Sequence, residues 1–169
     1  MGLDMYLEIR KNEYRSKYHK DKGSRLKLEY PKDITEFIPN LTDLTISRKT
    51  NYEVGYWRKA NQIHNWFIQN CADRDECGDP IDDCRPIEIT VDKLEELLEA
   101  CKKVLADHSL ASSLLPTQSG FFFGSTDYDE YYFEDIKNTI DIIEPVIKFA
   151  KHKLEIKDYV WEVWYQASW

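Results

Sequence analysis

Alternation at the two ends of the chain limits what it can fold into. In GLDMYLEIR (2–10), Leu3, Met5, Leu7 and Ile9 recur at every second position, with Asp4 and Tyr6 between them. A period of two places these sets on opposite faces of a strand. The tail DYVWEVWYQASW (158–169) interleaves aromatic and β-branched residues and reads as a closing strand. Helical periods fill the middle. Strands first and last with three or more helices between them argue an α+β fold. The expected architecture is a single, mainly antiparallel sheet with three to four helices packed on one face. The 169 residues suit one domain, 1–169. A chain this long buries roughly 70% of its unfolded surface and needs no metal or disulfide to fold.

Between the ends, residues 11–23 read as a polar loop or hairpin excursion, and LKLEY (26–30) as a short strand stopped by Pro31. Residues 31–50 suggest a short helix near 33–38 and a strand near 43–49. WRKANQIHNWFIQNCA (57–72) is helical by period, with Tyr56, Ala60, Ile63, His64, Phe67 and Cys71 on one stripe. Trp66 points nearly opposite, so this helix is either sandwiched between layers or presents Trp66 to a partner. After an acidic loop (73–85), IEITV (87–91) is a strand. DKLEELLEACKKVLAD (92–107) is a core helix opened by a capping box of Asp92 and Glu95. A last helix is expected from about 127, with Tyr132, Ile136, Ile140, Ile143, Ile147 and Ala150 inward, kinked or split at Pro145.

Charge narrows the partners. Residues 1–60 carry 13 Lys/Arg against 9 Asp/Glu, or +4, and residues 61–169 carry 10 against 22, or −12. A surface this acidic repels phosphate chains, so duplex nucleic acid is not an expected partner. No apolar run approaches the ~18 residues of a membrane span, and the start MGLDMYLEIRK has no signal-peptide layout; a soluble intracellular domain is expected. Cys71, Cys77, Cys84 and Cys101 contain no C-x-x-C spacing. Cys101 reads as core. The other three surround the acidic loop and read as free thiols, the alternative being a Cys3His set with His64. No cofactor is indicated.

Two segments combine polar and aromatic residues. In NYEVGYWRKANQIHNWF (51–67), Gly55 is expected to end a strand-like run and Trp57, Arg58 and Lys59 to occupy a first helical turn. Cations are disfavoured there by the helix dipole, so either an acidic neighbour or an anionic ligand is implied. His64 is either a core histidine bonded to a backbone carbonyl or a general base. In PTQSGFFFGSTDYDEYYFED (116–135), Gly120 and Gly124 flank three phenylalanines, and Ser125 and Thr126 are expected at a helix start. Hydroxyls and free N–H groups in that position hold phosphate or carboxylate. The P-loop pattern is absent, because Ser125 stands where Lys is required. Asp129 is expected to point inward, paired with Arg58 or His64. Tyr128, Tyr131 and Tyr132 follow, a composition of binding hot spots and of aromatic cores alike.

MGLDMYL, EVGYWRKANQIHNWF, LEELLEACKKVL and LLPTQSGFFFGSTDYDEYYFEDI resemble a family of small uncharacterised bacteriophage and prophage proteins. The resemblance covers about half the chain; the remainder comprises variable regions about 11–50 and 72–86 and the tail after Pro145. It implies a bacterial host cytoplasm and accessory proteins that bind host factors or nucleotide signals, with no mechanism attached. The expected function is binding of a small anionic or aromatic, nucleotide-like ligand, or of a host factor. The expected ligand site is a polar-aromatic pocket in which Trp57, Arg58, Lys59, Asn61 and His64 face Ser119, Gly120, Gly124, Ser125, Thr126, Tyr128, Asp129, Tyr131 and Tyr132. One alternative is a small enzyme using His64 and Asp129 as an acid/base or metal-holding pair. The other is an acidic inhibitor of a host protein docking through Trp66.

Overall fold

The computed structural model describes residues 2–15, 32–38, 46–158 and 160–169. The strand expected at 26–30 lies outside them. In chain order the elements are β1 (Asp4–Arg15), α1 (Lys32–Phe37), β2 (Ile46–Arg58), α2 (Asn61–Cys71), β3 (Ile87–Ile89) and α3 (Val91–Ala106). A 3-10 turn (His108–Leu110), α4 (Ala111–Leu114), α5 (Glu130–Glu155) and β4 (Trp161–Ser168) complete the order. Among the described residues four strands form one sheet, β2-β1-β4-β3, in which every pairing is antiparallel. The α+β architecture expected from the ends of the chain is the one observed.

The alternation in β1 decides the layering. Leu3, Met5 and Leu7 are wholly buried, while Tyr6, Glu8 and Arg10 on the other face are half-buried. β4 repeats the pattern with Val163, Tyr165 and Ala167 inward. Against this face lie Ile63 and Phe67 of α2, Leu94, Leu97, Cys101 and Val104 of α3, and Ile136, Ile143 and Ile147 of α5. Each such side chain contributes about 1.5–3 kcal/mol by leaving water. α3 and α5 run antiparallel, tied by Lys102–Glu144 at one end and Lys151–Glu95 at the other. No helix among the described residues is long and apolar enough to cross a membrane.

Several local expectations are corrected. Of residues 11–23, expected as a polar loop or hairpin excursion, 11–15 continue β1, because Lys11–Arg15 pair with Ile46–Thr50 of β2. Gly55 does not end β2. It pairs with Leu7 beside a bulge at Val54, and a Cβ at Gly55 would overlap Ile142 of α5. β2 therefore runs to Arg58, and α2 starts at Asn61 rather than in the Trp57–Lys59 turn. Trp66 is 8% exposed and packs edge-on against Phe67, so α2 is sandwiched. α3 is capped by Thr90, whose hydroxyl accepts from Lys93 N, not by Asp92. Pro145 does not split α5: it sits on the exposed side of a continuous helix, away from the packed stripe.

Candidate functional site

The two polar-aromatic segments meet, and Asn61 is what joins them. Trp57 and Arg58 end β2 opposite Met5 and Asp4. Lys59 then takes a left-handed backbone (φ 61°) and donates its N–H to Leu3 O at 2.8 Å. The chain enters α2 with Ala60 at the cap position, which offers no side-chain bond. Asn61, 1% exposed, turns its amide away from the helix toward the 116–125 segment. Its Nδ2 donates to Phe123 O (3.0 Å) and Ser125 O (2.7 Å), and its Oδ1 accepts from Gln118 N (2.9 Å). Leu3 N donates to Phe122 O and Thr117 Oγ1 to Thr126 O. Gly124 has φ 90° and lies where a Cβ would come within 3.1 Å of Lys59 Cβ, so both conformation and space call for glycine.

This junction sorts the expected site residues into two groups. Trp57, Asn61, His64 and Tyr132 face inward. The Trp57 indole donates to Thr139 Oγ1 (2.9 Å) and the Tyr132 hydroxyl to Leu115 O (2.8 Å), both buried. Arg58, Lys59, Ser119, Gly120, Gly124, Ser125, Thr126, Tyr128, Asp129 and Tyr131 are exposed on the same segments. Phe121, absent from the expected set, is 95% exposed, and Tyr131 75%.

The helix start is not where the sequence suggests. α5 begins at Glu130, so Ser125 and Thr126 lie in the preceding loop, and Ser125 Oγ bonds Asp127. Asp129 does not point inward. It is the N-cap, accepting from Tyr132 N at 3.1 Å, and so already supplies the negative group that a helix N-terminus favours. Arg58 remains largely exposed, its Nε 3.9 Å from Asp4 Oδ1.

His64 is wholly buried and bonded to two side chains rather than to a backbone carbonyl. Its Nδ1 lies 2.8 Å from Tyr165 Oη and its Nε2 3.2 Å from Asp82 Oδ2. Burial, then the Asp82 charge, holds the Tyr165 phenol protonated well above its ordinary range. The Asp82 carboxylate can only accept, so in the neutral ring the proton lies on Nε2 facing it, which leaves Nδ1 to accept from the phenol. Phe123 and Trp169 close over the ring edge-on, at 5.2 Å each. Asp82 Oδ1 is buried without a hydrogen bond to a described residue, beside a cavity of about 10 Å³. That is room for one water-sized molecule. Sequence alone does not single out Asp82, one of six acids in the acidic loop, or Tyr165, one of several aromatics in the closing strand.

The four cysteines are unpaired thiols. Burial pushes Cys71 and Cys101 up to about 12, which disfavours the thiolate that zinc requires. Among the described residues no three His, Cys, Asp or Glu side chains are grouped to hold a metal. No family model, curated protein or solved structure matches this chain.

Proposed function

We propose that this chain is an accessory binding protein that takes a small ligand carrying both an anionic group and an aromatic ring, nucleotide-like in chemistry. The binding surface is Arg58 and Lys59 together with the outward side of the 116–131 segment. The bacteriophage setting implied by its sequence resemblance suits such a role. One observation carries the reading. Asn61 fixes the loop by three hydrogen bonds made to backbone groups, while Phe121, Tyr128 and Tyr131 are left facing water. A loop ordered in advance binds without the ordering cost that a flexible one incurs.

Electrostatics orients the ligand. Asp127, Asp129 and Glu130 line the start of α5, and Asp129 already caps the Tyr132 N–H, so an anion is disfavoured there. At the other end, Lys59 makes no ion pair with a described residue and Arg58 makes only the long, exposed one to Asp4. The anionic group therefore belongs at Arg58 and Lys59, and the ring beside the exposed aromatics.

The two alternatives lack support in the geometry. His64 and Asp129 each bond other partners, and His64 is sealed beneath Phe123 and Trp169. Trp66 is buried and offers no anchor for docking.

Thermal-shift and NMR titration against mononucleotides and cyclic dinucleotides test the proposal, with Arg58→Ala and Phe121→Ala as controls. A saturable shift that weakens about tenfold in each variant supports it. No response to any nucleotide, or an undiminished response in Arg58→Ala, overturns it.

A further inference from the structure

β2 lies at the edge of the sheet, with β1 on one side and no described strand on the other. Two bonds at the ends of β1 show where its neighbours' backbone groups point. Asn12 N–H donates to Val160 O just ahead of β4 (2.8 Å), whereas Leu3 O accepts from Lys59 N just after β2 (2.8 Å). Backbone groups alternate between the two sides of a strand, residue by residue. Even positions of β1 therefore bond β4, and odd positions bond β2. Ile9, Lys11 and Glu13 engage Tyr52, Thr50 and Arg48 opposite them. The alternate residues Ser47, Lys49, Asn51 and Glu53 turn their N–H and C=O groups to the open edge, and all four are exposed.

Such an edge is a template for another strand unless proline, a bulge or charge blunts it. Ile46–Arg58 contains no proline, and its bulge at Val54 leaves 46–53 regular. What remains is charge. Lys49 and Glu53 stand opposite Asn12 and Glu8, so both project from the sheet face away from the helices. They are about 13 Å apart along the strand, too far to pair with each other. Neither has an ion-pair partner among the described residues. Antiparallel self-pairing centred on Asn51 brings each Lys49 opposite the Glu53 of another copy. The same register sets Thr50 opposite Tyr52 on the other face, a favourable β-branched and aromatic pair. Centring on Lys49 or on Glu53 instead opposes like charges.

We propose that the open edge of β2 pairs with the same edge of a second copy of this chain, joining two sheets across a two-fold axis at Asn51. Lys49 with Glu53, Asn51 with Asn51 and Glu53 with Lys49 exchange backbone bonds, and the two charge pairs fix the register. The occupant is a second copy because the charges of this strand complement themselves under that two-fold. The ladder ends at the Val54 bulge, short of Arg58 and Lys59, so it stands apart from the ligand surface.

Sedimentation equilibrium of the full chain should show a monomer–dimer equilibrium with Kd between about 1 μM and 1 mM, as suits a ladder this short. Amide exchange at Lys49, Asn51 and Glu53 should slow as concentration rises. Lys49→Glu and Glu53→Lys each oppose like charges twice per dimer and should weaken self-association about tenfold. Both positions are exposed, so circular dichroism should be unchanged. An equimolar mixture of the two variants opposes unlike charges at every such position and should associate about as tightly as the unaltered chain. A monomer at all concentrations up to about 1 mM would overturn the proposal. So would dimerisation without slower exchange at those amides, undiminished association in the single variants, or a mixture no tighter than either variant alone.

Discussion

His64 Nδ1 and the Tyr165 hydroxyl lie 2.8 Å apart, although 101 positions separate them in the chain. The bond links the middle of α2 to the centre of β4, and Asp82 completes it from the acidic loop at 3.2 Å. Removing the phenol oxygen leaves a buried ring nitrogen unsatisfied, so Tyr165→Phe should cost about 1–3 kcal/mol in urea denaturation. Asp82→Asn retains an acceptor for the Nε2 proton and should cost less than Tyr165→Phe. The reverse ranking would contradict a neutral imidazole donating to Asp82.

That triad also shows where sequence reading stops. The stripes through Leu94–Val104 and Ile136–Ile147 were legible because period alone decides which side of a helix faces the sheet. The partners of His64 were not, because they depend on how a thirteen-residue loop folds back, which no period encodes. The start of α2 was misplaced for a related reason. Trp57 suits a helical stripe and a strand equally, and its pairing with Met5, a contact distant in sequence, settles the matter. The meeting of the two polar-aromatic segments was legible, but the role of Asn61 in joining them was not.

Asn61 supplies a sharper test of that junction. Asn61→Ala removes three hydrogen bonds and leaves two carbonyls and one N–H without partners. The expected loss is about 2–4 kcal/mol, with faster amide exchange in residues 117–125. Asn61→Asp keeps the acceptor for Gln118 N but sets a carboxylate against Phe123 O and Ser125 O, and should be no better than Ala. A near-wild-type Asp variant would show that Gln118 alone holds the loop.

Gly55 is fixed by α5 rather than by its own backbone. It carries no positive φ, yet a Cβ there would overlap the Ile142 side chain. Gly55→Ala should therefore destabilise by about 1–3 kcal/mol through overpacking, despite alanine's lower unfolded-state entropy. Ile142→Ala in the same chain opens the space, so the double variant should lose less than the sum of the single changes. Strict additivity would place the strain elsewhere.

Asp135 makes stability depend on pH. Burial is the largest influence on its carboxyl and, with the charges of Glu134 and Asp129, outweighs the hydrogen bond from Gln62, raising it from 3.8 to about 6. Between those values the folded protein holds a proton that the unfolded chain has released, so stability falls as pH rises from about 4 to about 6. Above that window both states are ionised and the cost is constant, about 3 kcal/mol for a shift of this size and less where water reaches the group. Asp135→Asn keeps the bond from Gln62 and removes the charge. It should be close to neutral near pH 3.5 and stabilising by about 1–3 kcal/mol at pH 7, measured by denaturant unfolding across the range. Equal stabilisation at both ends, or a loss at pH 7, would mean that the Asp135 charge is favourable where it stands.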